Sequence, residues 1–460
     1  MNEGRTPIGR DRPSGLRRTR RTAASGVAVV AVIVAVACAG YTHPSAAATT
    51  TTHRGGHADG NKAAGNRAAG DRAAGNRAAG NKDVTVWGQP APAGTGVLEA
   101  VSCGDATHCW AVGQSAVNAL EATTTSTPPS PVVIDATADG GVTWSAERVT
   151  VAAPTDLSAV ACPDRKYCMA VGDADHGGPI LGAVLVTADG GRTWQSVDSP
   201  VGSVDLSAVH CLSATDCTVV ATDGSAFWSA STVDGGRDWQ RTGSLPAGFG
   251  GISALSCPSA EQCVTVGYTA AAPGQGTGAV AVTDDGGNTW TAATVPTGVG
   301  LLHGISCTAD GDCVAVGTKS TTTTDLAPAT SQVLRSADGG TTWTLGASPA
   351  GLGDAFAVSC PTAGSCAAVG TVWTPTNPPT QIGGVVASGN GGTSWRTATT
   401  RYVPVGLIGV DCPLPTACVA AGNDVLARIA LPAPKATKAT KATTHGDGAT
   451  NGTSAGRSGG

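Results

Sequence analysis

The chain has 460 residues, 41% apolar, 4% aromatic and 13% charged, with 65 glycines and two methionines. Glycine at about twice its average share of roughly 7% excludes a protein built of long Leu/Glu/Lys helices. Residues 83–433 hold 11 Lys+Arg against 28 Asp+Glu, a net of −17, while the two ends are basic. An acidic body repels phosphates, so nucleic acid is excluded as its partner.

Residues 1–22 form a basic region with Arg5, Arg10, Arg12, Arg17, Arg18, Arg20 and Arg21. Residues 23–40 follow without a charge and read as a signal or transmembrane segment. Basic residues before an apolar run stay cytoplasmic. The remainder is therefore expected to be exported, either anchored in the membrane facing outside or secreted. Three fates fit: an uncleaved anchor, cleavage near Ala46-Ala47-Ala48, or lipidation of Cys38, since Ala35-Val36-Ala37-Cys38 resembles a lipobox. Residues 41–82 include Ala-Ala-Gly-Asn/Asp-Arg/Lys steps of period five and lack large apolar side chains, as expected of a disordered tether. Residues 434–460, with Lys435, Lys438 and Lys441, read as a second disordered basic tail.

Residues 83–433 carry an internal repeat. Cysteines pair in sequence at Cys103/Cys109, Cys162/Cys168, Cys211/Cys217, Cys257/Cys263, Cys307/Cys313, Cys360/Cys366 and Cys412/Cys418, each with five residues between. The first cysteines recur 46 to 59 residues apart, a period that suits propeller blades. Each unit holds short Val-rich stretches bounded by Gly, Pro and Asp, as in Leu157–Ala161, Cys168–Gly172, Ala183–Val186 and Thr193–Val197. Four antiparallel strands, seven times over, predict an all-β, single seven-bladed propeller. In an exported chain the pairs read as one disulfide per blade, each closing a hairpin loop and contributing about 2 kcal/mol on a chain-entropy estimate. Zinc is disfavoured because only His108 lies inside any of the loops.

A second motif, Ser/Thr-x-Asp-Gly-Gly-x-x-Trp, stands between the third and fourth strands of six units. It spans Thr137–Trp144, Thr187–Trp194, Thr232–Trp239, Thr283–Trp290, Ser336–Trp343 and Ser388–Trp395, with Asn390 in place of aspartate in the last. This resembles the Asp-box (bacterial neuraminidase) repeat, and the resemblance implies the propeller fold. Asp139, Asp189, Asp234, Asp285, Asp338 and Asn390 are expected to cap their own turns. Trp144, Trp194, Trp239, Trp290, Trp343 and Trp395 are expected to bury their rings. Six copies around a ring cannot converge on one catalytic centre, and one oxygen per turn is too few for calcium. The seventh unit lacks a box. Its missing strand is expected to be Val84–Gly88, closing the ring from the N-terminus, with Trp87 in the place of a box tryptophan.

Alternating strands put the disulfide loops and the boxes on one face. The opposite face then collects the segments that break the repeat: Gln114–Pro131, Asp173–Gly182, Tyr268–Gly278, Thr318–Thr330 and Thr371–Gly384. Variable loops on a rigid scaffold are where binding usually resides, so Glu121, Asp173, Asp175, His176, Tyr268, Lys319, Asp325 and Trp373 are the candidate contacts. The alternative is that these Thr/Pro-rich loops are solvated filler.

A sialidase needs three convergent arginines and a Tyr/Glu pair. The body has nine arginines, of which Arg192, Arg237, Arg335 and Arg396 lie in or beside the boxes. Other Asp-box glycosidases need two facing carboxylates, usually in a cleft between two propellers. No catalytic residue, metal ligand or cofactor is assigned. In size, box spacing and export, as in Thr187–Trp194 with Cys162/Cys168, the chain resembles exported photosystem II assembly-factor-like propellers. It departs from them by a disulfide in every blade and by lacking an arginine patch. The resemblance implies a non-catalytic role, binding a protein partner at the outside of a membrane. The alternative is a carbohydrate-binding or glycoside-hydrolysing envelope protein.

Overall fold

The computed structural model describes residues 83–115, 132–147, 149, 156–174, 179–270, 276–319, 330–374, 380–401 and 403–433. The basic region, the segment 23–40 with Cys38, the tether and the C-terminal tail lie outside them. Among the described residues every regular element is a strand. No helix there is long and apolar enough to cross a membrane.

Seven antiparallel sheets form in chain order. Blades one to six span Thr95–Ala146, Asp156–Val197, Asp205–Ser244, Phe249–Ala292, Leu302–Leu345 and Asp354–Thr397. Blade seven takes three strands from Leu407–Leu414, Ala417–Gly422 and Val425–Ala430, and a fourth from Thr85–Pro90. A fifth strand, Thr399–Arg401, adds in parallel to Thr85–Trp87. The first strands neighbour one another in sequence, and that of blade seven neighbours that of blade one, so they form the inner wall of a closed ring.

All seven cysteine pairs are disulfides, each bridging the end of a first strand to the start of the second. They are Cys103–Cys109, Cys162–Cys168, Cys211–Cys217, Cys257–Cys263, Cys307–Cys313, Cys360–Cys366 and Cys412–Cys418. The one-per-blade pairing expected from the spacing is observed, and the structure adds where the sulfurs sit. The second cysteine of every pair is core: Cys109, Cys168, Cys217, Cys263, Cys313, Cys366 and Cys418 are each at most 2% exposed. Each belongs to a different apolar cluster, Cys217 packing with Met169 and Trp228, and Cys263 with Ile252 and Trp290. The reason is position, because these residues start the second strand, which neighbouring blades cover on both faces.

The second strands, such as Cys168–Ala174, are buried without the alternation of a one-sided sheet. Continuous apolar runs of this kind are covered on both faces. Here the cover is the neighbouring blades, because the apolar side chains fall into seven clusters, each shared by two adjacent blades. Trp110, for instance, packs with Val160, Leu185 and Trp194 between blades one and two.

Hydrogen bonds stitch the same seams near the inner wall. The residue before the first cysteine accepts the N–H of the next blade's first cysteine: Ser102 from Cys162, Ser256 from Cys307, Ser306 from Cys360 and Ser359 from Cys412, at 3.0 to 3.1 Å. At the closing joint Asp411 takes this place and accepts the Cys103 N–H at 2.7 Å.

The N-terminal strand closes the ring as expected, but one residue out of the expected register. In blade one Cys109 pairs with Thr137, which places Trp144 opposite Thr137 on the fourth strand. In blade seven Cys418 pairs with Ile429, and Ile429 pairs with Val86. Val86 therefore occupies the tryptophan place, fully buried in the seam between blades six and seven. Trp87 points the other way, 38% exposed, with the Arg428 guanidinium 4.7 Å from its ring centre. The physical reason is alternation: a one-residue change of register exchanges the buried and solvent faces of a strand.

This register is testable by urea unfolding. Val86→Asp buries an unpaired carboxylate and should lower stability by about 3 kcal/mol or more. Trp87→Ala loses a surface cation–π contact and should cost no more than about 1 kcal/mol. Equal losses at the two positions would contradict the assignment.

Candidate functional site

On the disulfide face each Asp-Gly-Gly turn is saturated by its own atoms. The Asp139 carboxylate accepts the N–H groups of Val142 and Thr143 and the hydroxyls of Thr137 and Thr143, at 2.6 to 3.0 Å. The Thr137 hydroxyl in turn accepts the Gly141 N–H. The pattern recurs at Asp189, Asp234, Asp285 and Asp338. Asn390 keeps it by accepting the Ser394 N–H with Oδ1 and donating Nδ2–H to the Ser394 hydroxyl. The first glycine of five turns donates to a carbonyl of its own blade's disulfide loop, as Gly190 does to Lys166 and Gly235 to Thr215. Both glycines are left-handed, for example Gly190 at φ 77° and Gly191 at 84°, which explains the residue type. The Ser336 hydroxyl, followed by the groups of Thr342, holds the Asp338 carboxyl down at about 2. The aspartates of the other four turns are lowered too.

The box tryptophans lie buried or half-buried. Their indole N–H groups are satisfied unevenly. Trp239 donates to the Asp198 carbonyl, Trp290 to the Ser229 hydroxyl and Trp343 to the Gly340 carbonyl. Those of Trp144, Trp194 and Trp395 have no partner among the described residues. Arg335 belongs to this face as well, donating to the Gly391 carbonyl of the next blade's turn.

On the opposite face the structure places four of the eight candidate contacts. Asp173 sits at the end of the second strand of blade two, directly opposite Asp156. Tyr268 is half-buried at the end of the corresponding strand of blade four, with burial pushing its hydroxyl up. Its ring stands where a Cβ on Gly251 would collide, so the glycine makes room for it. Lys319 follows the second strand of blade five and donates its N–H to Thr330. Trp373 ends that of blade six, 38% exposed. Glu121, Asp175, His176 and Asp325 lie outside the described residues.

Asp173 has neighbours that the sequence analysis missed. Every first strand carries a β-bulge in its first half, as between Leu98 and Ala100 or Leu157 and Ala159. The bulged residues are Glu99, Ser158, Ser207, Ser253, His303, Phe356 and Ile408, one per blade on the inner wall. Bulges re-aim side chains, and here they recur at one level of the inner wall, its rim toward the variable face. Burial, then the charges of Asp156, Asp205 and Asp173, push the Glu99 carboxyl up to about 8. Burial likewise pushes Asp156 up to about 6, against a hydrogen bond from Gln114. Asp205 is raised by burial. The signal was present: Asp-Leu-Ser-Ala-Val stands unchanged at 156–160 and 205–209. Beside the cluster Ile180, Leu181 and Val201 are exposed, and the turn carrying Val201 bonds through Ser203 to Gly182.

No protein-family model matches the chain, and no curated protein matches it in sequence. Solved structures share its fold. A structure titled "YCF48 bound to D1 peptide" is 18% identical with a TM-score of 0.51, covering 75% of this chain and 97% of that one. A GH74 enzyme from Niastella koreensis is 13% identical with a TM-score of 0.51, covering 74% of this chain and 53% of that one. A streptogramin B lyase is 10% identical with a TM-score of 0.51, covering 75% and 97%. At these identities the likeness extends to the seven-bladed architecture alone.

The turn aspartates and Glu99 should respond oppositely to pH. Lowered carboxyls stabilise the fold above their unfolded pKa, and that contribution is lost as pH falls through the folded value. Between pH 4 and 2 amide exchange should therefore accelerate in the five Asp-Gly-Gly turns but not in Ser388–Trp395, where Asn390 has no proton to gain. Parallel acceleration in all six turns would refute the capping role. Glu99 is raised, so its own contribution to stability is greatest below pH 4.5 and is lost as pH rises through 8. Glu99→Gln should flatten the Tm profile over that window and raise Tm at pH 8.5.

Proposed function

We propose that this chain is a non-catalytic, exported or membrane-anchored propeller that binds a protein through its variable-loop face. The observation that carries the reading is the composition of that face beside blades two and three. Exposed Ile180, Leu181 and Val201 border a group of carboxylates held at strand ends. Exposed apolar groups rimmed by polar ones suit a protein interface. Seven disulfides suit an oxidising, extracytoplasmic setting. They also hold the opposite ends of the strands stiff while the loops vary. YCF48, a protein of the same fold, has been seen bound to a D1 peptide, which supports the reading by analogy of architecture.

One observation favours glycoside hydrolysis as a second reading. Glu99, pushed up to about 8, stands near Asp156, pushed only to about 6, the division of labour between a general acid and its partner. A GH74 enzyme shares the fold over part of its length.

The test uses the full chain with photo-crosslinking residues placed at Tyr268 and Trp373 and, as a control, at Val233 in a box turn. A partner captured at the first two positions, absent at Val233, and lost when residues 116–131, 271–275, 320–329 and 375–379 become Gly/Ser linkers is the expected result. Turnover of xyloglucan or a sialoside, abolished by Glu99→Gln or Asp156→Asn, would install the second reading instead.

A further inference from the structure

Four acidic side chains from three blades stand near one another at the rim toward the variable face, Glu99 feeling the charges of the other three. Asp156 and Asp173 are direct cross-strand partners, an arrangement in which like charges destabilise a sheet. Asp205 opens the first strand of the next blade and is bonded by the Ser207 hydroxyl. Glu99 comes from the bulge of blade one. Glu99 is half-buried, and its carboxyl feels Asp156, Asp205 and Asp173, with no Lys or Arg among the charges acting on it. Among the described residues nothing donates a hydrogen bond to it. Asp156 Oδ1 is also buried without a partner.

The fold can neutralise an aspartate at this place when its role is structural. Asp354 holds the same register position in blade six as Asp156 in blade two, and it accepts the hydroxyls of Thr318 and Thr371 at 2.9 and 3.1 Å. The Glu99 carboxyl and Asp156 Oδ1 lack that provision. Around the ring from Glu99, Ser158 and Ser207, the bulged residues of blades five to seven are His303, Phe356 and Ile408. The rings of His303 and Phe356 meet edge to face at 5.6 Å. One side of the rim is acidic and the other aromatic and aliphatic.

We infer that this rim receives a single cationic side chain, arginine or lysine, from a protein partner, its head against Glu99, Asp156, Asp173 and Asp205 and its methylene stem along Phe356 and Ile408. The inference rests on the protein-binding reading and adds the chemistry that the partner must present. The buried Asp156 Oδ1 wants a donor, and the like charges gathered around Glu99 want a positive one, which a neutral sugar does not bring. Among the described residues no three carboxyl or imidazole groups are clustered tightly enough to hold a metal ion. An extended head with several N–H groups reaches separated carboxylates that a point-like metal cannot. Long basic side chains also pair a charged head with an apolar stem, matching the two sides of the rim.

Proton release follows. Burial and its acidic neighbours keep Glu99 protonated at neutral pH. His303, across the rim, is pushed down by burial against the charge of Asp354. A cation favours the ionised carboxylates, so its binding expels protons and tightens as pH rises from 6 to 8.5.

The experiment is calorimetry of the full chain with acetyl-Ala-Arg-Ala-amide, its citrulline counterpart, spermidine and calcium chloride, at pH 6 and 8.5 in two buffers of different ionisation heat. The expected result is binding of the arginine peptide that strengthens at pH 8.5, with proton release at neutral pH. Glu99→Gln or Asp156→Asn should weaken it about tenfold or more, while Asp234→Asn in a box turn leaves it unchanged. Circular dichroism would confirm that the variants are folded. Equal binding of the citrulline peptide, preference for calcium or for free spermidine, or indifference to Glu99→Gln would each overturn the inference. The loop-replaced chain separates the two proposals. If it still binds the arginine peptide while losing the crosslinked partner, the loops and the rim act independently. If the crosslinked partner persists in Glu99→Gln, the protein-binding reading stands and the rim inference fails.

Discussion

The structure depends on seams. Each blade is a narrow sheet whose middle strands are apolar on both faces, and those faces are covered only by the blade before and the blade after. Every apolar cluster spans two blades, and none belongs to one blade alone. A linear array of such sheets would leave two apolar faces in water, so the chain has to close. Closure needs a strand from the other end of the sequence, and Thr85–Pro90 supplies it, with Val84 and Val86 filling the seam between blades six and seven. The line of Cys N–H bonds to the preceding blade's hydroxyls, completed by Asp411 at the last joint, sets the inner edges of these seams.

With the ring closed, the two faces diverge because strand ends meet different partners. On the disulfide face a carboxylate finds donors within four residues of itself, so the five turn aspartates are satisfied and lowered. On the other face the bulge lifts Glu99 into the rim, where its neighbours are other acids drawn in by the convergence of the first strands. The same class of side chain is thus stabilised as a charge in the Asp-Gly-Gly turns and penalised at Glu99. The contrast is one of geometry: hairpin turns offer N–H groups, whereas the inner wall has already committed its own to the ladder.

Much of the architecture was legible in the residues. Cysteine spacing set the number of blades and the pairing within each, though not that Cys217, Cys263 and their counterparts sink into the seams. The Asp-Gly-Gly turns marked the third and fourth strands, and the shortfall of one box pointed to the N-terminal strand. The tryptophan of that strand misled, because Val84-Thr85-Val86-Trp87-Gly88 offers two readings one residue apart and only pairing with Ile429 chooses between them. The acidic rim was half visible. Asp173 was singled out for its loop, while the repeated Asp-Leu-Ser-Ala-Val passed as ordinary strand, and Glu99 carried no local sign.

The sequence alone determined what is periodic: the strand, the turn, the sulfur pair and their sevenfold recurrence, since each is decided by contacts within a few dozen residues. Tertiary structure alone decided which residue in the first half of each inner strand is bulged, and that Glu99 feels Asp156, Asp173 and Asp205. The physical reason is that a bulge shifts the facing of a strand by one position, and ring closure brings together side chains from blades whose separation along the chain leaves no local imprint.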